Sequence, residues 1–467
     1  MTWFFGLMAA VACRADTFVS PTGGNVHPFG SWETAARDIQ TAVDAAQAGS
    51  TVWIEGGHRY LVPATISLTK GIVVRGYGEA KPVIDGGGAV RPFTVNHANA
   101  WLQALVVSNG FHSANAGGVY LAAGTVEGCD VLFNTAPASA GMMINGNATA
   151  TNCYIAFNVA SSGLFGGVGL LHGGARLRDC IVEGNRTQGE RGAGGGVING
   201  PAIVDGCTFS NNVTENAKSA GGFAVLADGA FVSNCRFLEN QGREGGGAYM
   251  TANGVVSNCV FIGNIATLEG GAMRLDKGVV VNCEMRRNSA GGSGGAVMNR
   301  TANQAVMRNC LVAGNTAASS AGGVVAISAN GLIMENCTVA DNNLYGVYDW
   351  VDNAIAKVNC IVYFNTNNWN RATQWQTSCT SPAVPGDGNQ DAAPGFEDRG
   401  KGDYALSSKS ECIDAGTTLA WMVGARDLAG SPRLASRLYG ATQDPQVDLG
   451  AYEYVPGPPK ASLLSIR

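Results

Sequence analysis

The residues best suited to chemistry in this chain lie close together in the sequence. Arg243, Glu244, Glu269, Arg274 and Asp276 place five ionisable side chains in a short stretch, although only 14% of the chain is charged. Carboxylates and basic side chains are the residue types of acid and base catalysis. The alternative is a solvated corner with local ion pairs. The choice depends on whether the fold brings Glu244, Glu269 and Arg274 to one face.

Aromatic side chains late in the chain form a second group of candidates. Trp350, Trp369 and Trp375 could stack against sugar rings and so bind a carbohydrate. The same rings could instead cover the C-terminal end of the fold. Earlier in the chain, the connection that contains Arg186, Glu190 and Arg191 could line a groove, or it is an ordinary solvated loop.

A third candidate is a calcium loop. Asp387, Asn389 and Asp391 form the pattern D-x-N-x-D, and Asp398 falls at the twelfth position. Ala392 stands where that motif requires glycine, so an ordinary polar turn is the alternative. Calcium is therefore the one cofactor considered, and no other is predicted. The five histidines show no ligand spacing, and no transition metal is expected.

These candidates must be positioned by a repeat. A heptad with cysteine, an apolar residue two places later and asparagine five places later recurs ten times, as in Asn258 to Asn264 (NCVFIGN). The cysteines are Cys129, Cys153, Cys180, Cys207, Cys235, Cys259, Cys283, Cys310, Cys337 and Cys360. A period in this range with strand chemistry is typical of a solenoid.

Each repeat predicts one coil of a β-helix. The cysteine and the residue at i+2 share one face of a short strand, and that face must be the interior. A Gly-Gly pair followed by apolar residues marks a second strand, and an apolar run before each cysteine marks a third. We therefore predict an all-β, right-handed parallel β-helix with three short strands per coil. If the Gly-Gly pairs align, Glu244 and Glu269 lie on adjacent coils near one corner, one register apart.

The repeated asparagines and cysteines have structural roles in this prediction. Stacked asparagines can bond through their amides to the coils above and below. Equivalent cysteines on parallel coils lie about 4.8 Å apart with parallel Cβ vectors, which is too far for a disulfide. We predict a buried ladder of free thiols. Cys379 and Cys412 lie outside the ladder and could pair with each other.

The N-terminal region reads as a signal followed by a cap. Residues 1–15 are typical of a signal peptide, with Cys13-Arg14-Ala15 as the cleavage site, although lipidation of Cys13 is an alternative. Residues 31–46 (SWETAARDIQTAVDAA) predict an amphipathic helix with Ser31 as its N-cap, which would plug the open end of the β-helix.

The expected domain organisation follows the chain. Residues 16–110 form the cap and first coils, and residues 111–370 form the regular ladder. Residues 371–454 form an irregular C-terminal closing segment, and residues 455–467 a proline-rich tail.

Composition narrows the classes of partner. The formal charge is −5 without a basic run, which argues against a nucleic-acid partner. Nothing in the body of the chain suggests a transmembrane span. The mature protein is expected outside the cell, secreted or associated with the cell surface or outer membrane.

Three families share motifs with this chain. The helix followed by Ile66 to Gly78 (ISLTKGIVVRGYG) and Pro82 to Gly88 (PVIDGGG) resembles the entry to pectin-lyase-like β-helices. FLEN at Phe237 to Asn240 and GGAM at Gly270 to Met273 are similar to the FxxN and GGAI repeats of polymorphic outer-membrane proteins, which are adhesins.

The closing segment resembles the choice-of-anchor Q domain of bacterial surface β-helix proteins. The similar motifs are Cys412 to Gly416 (CIDAG), Asp427 to Arg433 (DLAGSPR) and Asp448 to Tyr454 (DLGAYEY).

These resemblances imply two main functions. The first is a cell-surface protein that binds a carbohydrate or cell-surface glycan, as an adhesin does, without catalysis. The alternative, implied by the pectin-lyase-like resemblance, is a polysaccharide lyase or glycoside hydrolase acting on an acidic polysaccharide. A passive spacer is a third. An enzyme would concentrate ionisable residues on one face at one level, with a perturbed carboxylate, whereas a binding rod would spread polar and aromatic residues along its length.

Overall fold

The computed structural model describes residues 15–162, 165–171, 173–189, 192–215, 219–434 and 446–456. Within these ranges the chain is an all-β parallel solenoid, as the repeat predicts. The predicted signal peptide lies almost entirely outside the described residues, as do Glu190 and Arg191. None of the described helices has the length and apolar character needed to cross a lipid bilayer.

Sheet B is built from the strand of the cysteine heptad. Neighbouring strands pair in parallel and in register, so Phe237 lies opposite Phe209 and Phe261. Its strands are Arg59–Leu61, Val83–Asp85, Val106–Ser108, Asp130–Leu132, Tyr154–Ala156, Ile181–Glu183, Thr208–Ser210, Arg236–Leu238, Val260–Ile262, Glu284–Arg286, Leu311–Ala313, Thr338–Ala340, Ile361–Tyr363 and Cys379–Thr380.

Sheet A receives two strands from each regular coil, which meet at a bend. The first row of strands is Ile66–Leu68, Met142–Asn145, Val168–Leu171, Gly196–Asn199, Phe223–Val225, Ala248–Met250, Met273–Leu275, Val297–Asn299, Val324–Ala326, Tyr345–Asp349 and Asn367–Trp369. The second row is Thr17–Val19, Thr51–Glu55, Val73–Tyr77, Thr149–Thr151, Ala175–Arg178, Ala202–Asp205, Ala230–Ser233, Gly254–Ser257, Val279–Val281, Ala305–Arg308, Leu332–Glu335, Ile355–Val358 and Trp375–Gln376. Two long strands, Phe93–Gln103 and Val119–Glu127, span both rows.

Sheet C is short and follows the ladder asparagine. Its strands are Thr135–Ala136, Val159–Ala160, Arg186–Thr187, Val213–Thr214, Gln241–Glu244, Ile265–Glu269, Ser289–Ala290 and Thr316–Ala317. Two smaller sheets pair Gly192–Ala193 with Ser219–Ala220 and Phe396–Asp398 with Asp403–Leu406. A regular coil such as residues 223–244 therefore carries four strand segments rather than the predicted three, because the wall of sheet A is bent.

The interior is apolar and closely stacked. The rings of Phe209, Phe237 and Phe261 stack with centroids 5.2 and 4.6 Å apart. All twelve cysteines in the described part of the chain are free and buried, including Cys379 and Cys412. Within the ladder, the amide of Cys235 donates to the sulfur of Cys259 at 3.4 Å. The predicted ladder of buried thiols is confirmed.

The asparagine ladder is also confirmed, and it is fully buried in the middle of the rod. Asn264 donates its amide to Asn288 Oδ1 at 2.9 Å and to the carbonyl of Phe237 at 2.8 Å. Its own Oδ1 accepts from the backbone and side-chain amides of Asn240 at 3.1 and 3.0 Å. Each amide therefore joins neighbouring coils at the corner between sheets B and C.

We expect Asn264→Ala to lower the free energy of unfolding by about 2 to 5 kcal/mol, because it strands buried donors on Asn240 and the carbonyl of Phe237. Denaturant unfolding of the full chain measures this change. Thr316→Ala, an exposed position on sheet C, is the matched control and should change stability by less than about 0.5 kcal/mol. Equal effects of the two substitutions would contradict a stabilising ladder.

The N-terminal helix is shorter than predicted. It covers Ile39–Ala45, and its N-cap is Asp38, whose side chain accepts from the amide of Thr41 at 2.8 Å. The segment before it forms backbone hydrogen bonds with the first strand instead, such as Ala36 N to Phe18 O at 2.8 Å. Sheet pairing thus replaces the first half of the predicted helix, while Ile39, Ala42 and Val43 pack into the core as expected.

The closing segment does not simply cover the end of the rod. It runs back along the outer face of sheet B, where Asn309, Asn336 and Asn359 receive it. Their side-chain amides donate to the carbonyls of Arg426, Asp448 and Thr417 at 2.9, 3.0 and 2.8 Å. Two 3-10 turns, Arg399–Lys401 and Ala420–Met422, lie in this segment.

Candidate functional site

The structure gathers the charged candidates on the outer face of sheet A. Arg274 is the central residue of the strand Met273–Leu275, whose other two residues are buried in the interior. Its guanidinium therefore points outward, and it lies 4.7 Å from the ring centroid of Tyr249 on the preceding coil. Sheet A thus provides a rigid support for this charged cluster, which comprises Glu244, Tyr249, Glu269, Arg274, Asp276 and Arg300.

Glu244 and Glu269 approach the outer face of sheet A from sheet C. They end the strands Gln241–Glu244 and Ile265–Glu269, and a register shift after Gly242 places them directly opposite each other. The expected offset of one register is therefore absorbed by a bulge. The bulge is what brings the two carboxylates together.

A glycine turn follows each of these carboxylates. Gly245 and Gly270 have φ of +82° and +69°, and a Cβ at either position would collide with the carbonyl of Ala248 or Met273. Glycine is the residue that adopts this conformation without strain. The Gly-Gly signal in the sequence therefore folds the chain tightly back and holds Glu244 and Glu269 over sheet A.

Arg274 is held between two carboxylates. It forms an ion pair with Glu244 and contacts Asp276 Oδ2 through Nε at 2.9 Å and Nη2 at 2.8 Å. The three side chains are only 13%, 4% and 6% exposed. Burial works to lower the pKa of Arg274, but the hydrogen bond and charge of Asp276 outweigh it and raise that pKa. Arg274 therefore stays protonated and cannot act as a base.

Glu269 is the most exposed of the three carboxylates, at 15% of its side chain. Its Oε2 lies 3.3 Å from Arg300 Nη1, without hydrogen-bond geometry, and this buried oxygen has no hydrogen bond from the described residues. Burial raises the pKa of Glu269, against the charge of Arg300, and the nearby charge of Glu244 raises it further. A carboxylate with a raised pKa is suited to accept and return a proton.

Two members of this cluster were not among the sequence candidates. Arg300 occupies the repeat position of Asp276, since GGAMRLD and GGAVMNR align, and its backbone amide donates to Asp276 Oδ1 at 3.1 Å. Aligning the repeats would have identified it. Tyr249 had no distinguishing signal, because it is one of several aromatics in the ladder. Burial raises its pKa to about 12. Arg243 is exposed.

Apolar side chains lie on both sides of the charged residues on the outer face of sheet A. On the N-terminal side Phe165, Val197 and Ala224 form a buried cluster, against which Tyr249 packs. On the C-terminal side Met298 and Val325 belong to a second buried cluster, against which Tyr348 packs. The ionisable residues are thus concentrated at one level of the rod, which is the arrangement expected of an enzyme rather than of a uniform binding surface.

The three tryptophans are placed very differently. Trp375 is 7% exposed and lies over the buried Lys357, with the ammonium 5.1 Å from its ring, so it closes the end of the core. Trp369 is half-buried and donates Nε1 to the carbonyl of Pro382 at 3.2 Å. Only Trp350, at 53% exposure, presents a ring to solvent among these three.

The calcium candidates do not form a loop around a common centre. Asn389 turns inward, where its Oδ1 accepts from the amide of Ser378 at 2.9 Å and its amide reaches the carbonyl of Trp375 at 3.3 Å. Asp387 and Asp391 are exposed. Over the described residues, no group of three His, Cys, Asp or Glu side chains could hold a metal ion. The residues present do not fit calcium here.

Comparison with known proteins gives one curated relative. No protein-family model matches the chain. The chain is 34% identical over 90 residues to the pectate lyase PEL9 of Emericella nidulans, a match that spans 18% of this chain and 22% of that enzyme. The similarity therefore covers about a fifth of either protein.

Two solved structures resemble the chain at low similarity. A mannuronic acid specific family 6 polysaccharide lyase from human gut microbiota is 14% identical, with a TM-score of 0.43 over 72% of this chain and 81% of its own. The pectate lyase Pel9A is 13% identical, with a TM-score of 0.32 over 94% and 97%. At these values neither structure supports an argument about activity.

The match to PEL9 corrects the leading functional prediction. A non-catalytic, adhesin-like rod was expected from the uniform ladder and the surface-type closing motifs, and that prediction is wrong, because the relative is an enzyme. The charged cluster explains the error in physical terms. Its members lie in four successive coils, and the bulge at Glu244 and the turns at Gly245 and Gly270 bring Glu244 and Glu269 to Arg274.

Proposed function

We propose that this chain is a polysaccharide lyase that cleaves an acidic polysaccharide. The observation that carries the proposal is Glu269, whose side chain is 15% exposed, whose pKa is raised by burial and whose Oε2 lies 3.3 Å from Arg300 Nη1. The match to a pectate lyase supports an acidic polymer as the substrate.

The proposed reaction is a β-elimination at a uronate residue. Arg300, which is 40% exposed, neutralises the carboxylate of the substrate and so makes the proton at C5 more acidic. Glu269 takes this proton, the C–H electron pair forms the C4=C5 double bond, and the bond from C4 to the glycosidic oxygen breaks. The proton on Glu269 then passes to the leaving oxygen. Arg274 stays protonated and holds Glu244 and Asp276 in place through its ion pairs.

Hydrolysis is the second candidate reaction. It requires two available carboxylates, one as acid and one as base or nucleophile. Glu244 lies opposite Glu269, but it is 4% exposed and paired with Arg274. Asp276 is bound to the same guanidinium. The geometry therefore favours elimination, which needs a single carboxylate.

The remaining features of the chain fit an exported enzyme. Residues 1–15 would direct export, residues 16–110 and 111–370 would form the cap and catalytic solenoid, and residues 371–454 would close it before the tail of residues 455–467. The choice-of-anchor resemblance of the closing segment would hold the enzyme at the cell surface, near its polymer. Trp350 is the remaining candidate for a stacking contact with a sugar ring.

Incubation of the full chain with polygalacturonate, alginate and a neutral glucan tests the proposal. We expect ultraviolet absorbance from unsaturated ends with an acidic polymer and none with the glucan. The rate should rise with pH through the raised pKa of Glu269, because the base acts in its deprotonated form. New reducing ends without unsaturation would instead favour hydrolysis. The absence of both products with every acidic polymer would overturn the proposal.

A further inference from the structure

A cleft of about 660 Å³ lies between the rod and the closing segment. One wall comes from the corner between sheets B and C, and the other from the turn Arg399–Lys401 and the strand after it. The side chains that line the cleft and enter the argument are Arg286, Arg287, Asp341, Arg399, Lys401 and Tyr404. This volume is within the range of small-molecule sites in proteins, roughly 300 to 1,000 Å³.

The walls of the cleft are held together by charged hydrogen bonds. Asp341 accepts from Arg399 Nε at 2.9 and 3.1 Å and from the hydroxyl of Tyr404 at 2.8 Å. Arg286 donates from Nη1 to the carbonyl of Gly402 at 2.9 Å. The ring of Phe364 lies 4.0 Å beneath the Arg399 guanidinium. The cleft is therefore built in advance of any ligand.

The lining of the cleft carries more positive than negative side chains. Four of its side chains are positively charged, and Asp341 is its single carboxylate. Arg286, Arg399 and Lys401 have carboxylate partners in Glu284, Asp341 and Asp398. Arg287 is exposed and has no ion pair with any residue that the structure describes. Four cations thus face three carboxylates, and the excess positive charge is that of Arg287, in a chain whose formal charge is −5. Arg287 is therefore the side chain placed to attract an anion.

The cleft also has room for a chain of sugars. Gly314, Gly400 and Gly402 line it without side chains. It lies across sheet C from Glu269, separated from the charged cluster by the short strands Ser289–Ala290 and Thr316–Ala317. It is therefore separate from the site of the proposed reaction.

We infer that this cleft is a second binding site for a carboxylate-bearing oligosaccharide. Arg287 and Lys401 meet the carboxylates, and the fixed guanidinium groups of Arg286 and Arg399 form the surrounding wall. The identity of the ligand as a uronate chain rests on the proposed function, whereas the shape and charge of the cleft do not. Such a site would hold the polymer on the enzyme between cleavage events.

Binding of a galacturonate hexamer to the full chain carrying Glu269→Gln tests the inference. Calorimetry at low ionic strength is expected to show a fall in affinity of about tenfold when Arg287→Ala and Lys401→Ala are added, because two exposed cations are lost. The matched control is Arg236→Ala, an exposed arginine on sheet B outside the cleft, which should change affinity by less than twofold. The fully methyl-esterified hexamer, which carries no charge, should bind weakly to every variant.

Two results would overturn the inference. One is wild-type affinity in the Arg287→Ala, Lys401→Ala variant, and the other is equally tight binding of the methyl ester. Failure of the proposed function gives a different result. Cleavage would then be absent or independent of Glu269, but Arg287→Ala and Lys401→Ala would still weaken binding of the hexamer.

Discussion

Glu269→Gln is expected to lower kcat for cleavage by about 10² to 10⁴, the usual contribution of a positioned general acid or base. Glutamine keeps the shape of the side chain but cannot accept the C5 proton. Initial rates from unsaturated ends, with substrate in excess, measure the effect. The rise in rate with pH should disappear in this variant, because the titrating group is gone.

The control for this substitution is Glu239→Gln. Glu239 is an exposed glutamate on a neighbouring coil, away from the face that carries Arg274. Its loss should leave kcat and the pH profile unchanged. If Glu269→Gln retained more than half of the wild-type kcat, the assignment of Glu269 as the base would be wrong, even if the protein still cleaved an acidic polymer.

The repeat made most of the fold predictable. In a parallel, in-register stack every coil solves the same packing problem, so the interior residues Cys259, Phe261 and Asn264 recur at fixed spacing. A pattern repeated ten times averages out local exceptions. Period-two burial therefore predicts which face of each strand points inward, and the chemistry of asparagine predicts the ladder at the corners.

The candidate site was only partly predictable, because it lies where the repeat is interrupted. Glu244, Glu269 and Arg274 were recognised as an ionisable group, but their meeting depends on one bulge that breaks the repeat. The raised pKa of Glu269 depends on burial, which no residue type reveals. Sites are exceptions to a repeat, so the periodicity that predicts the scaffold contains little information about them.

The closing segment shows the same limit at longer range. Some of its contacts with the rod join residues more than 100 positions apart, such as Asn336 with Asp448. The motifs from Asp427 to Arg433 and from Asp448 to Tyr454 suggested a surface-anchoring family. In the structure their buried charges hold the segment itself together, since Arg433 is fully buried with Glu453. Arg433 and Glu453 within these motifs therefore have a structural role in the closing segment.

Arg433→Ala is expected to destabilise the closing segment by about 3 to 5 kcal/mol, because it leaves a buried carboxylate without its cation. Arg433 Nε lies 3.0 Å from Glu453 Oε1, and Nη2 donates to the carbonyls of Asp448 and Gly450 at 2.9 and 2.7 Å. Hydrogen exchange should show lost protection in residues 394–434 and 446–456 while the middle coils near Asn264 stay protected.

Two further variants separate the ion pair from a general effect of mutation in this segment. Lys409→Ala removes an exposed cation and should leave protection unchanged. The double variant Arg433→Met, Glu453→Met replaces both charges with apolar side chains, and it should recover most of the lost stability, since a buried pair can often be exchanged for apolar packing. If Arg433→Ala behaved like Lys409→Ala, the closing segment would be held by its asparagine contacts with the rod, and the buried ion pair would be dispensable.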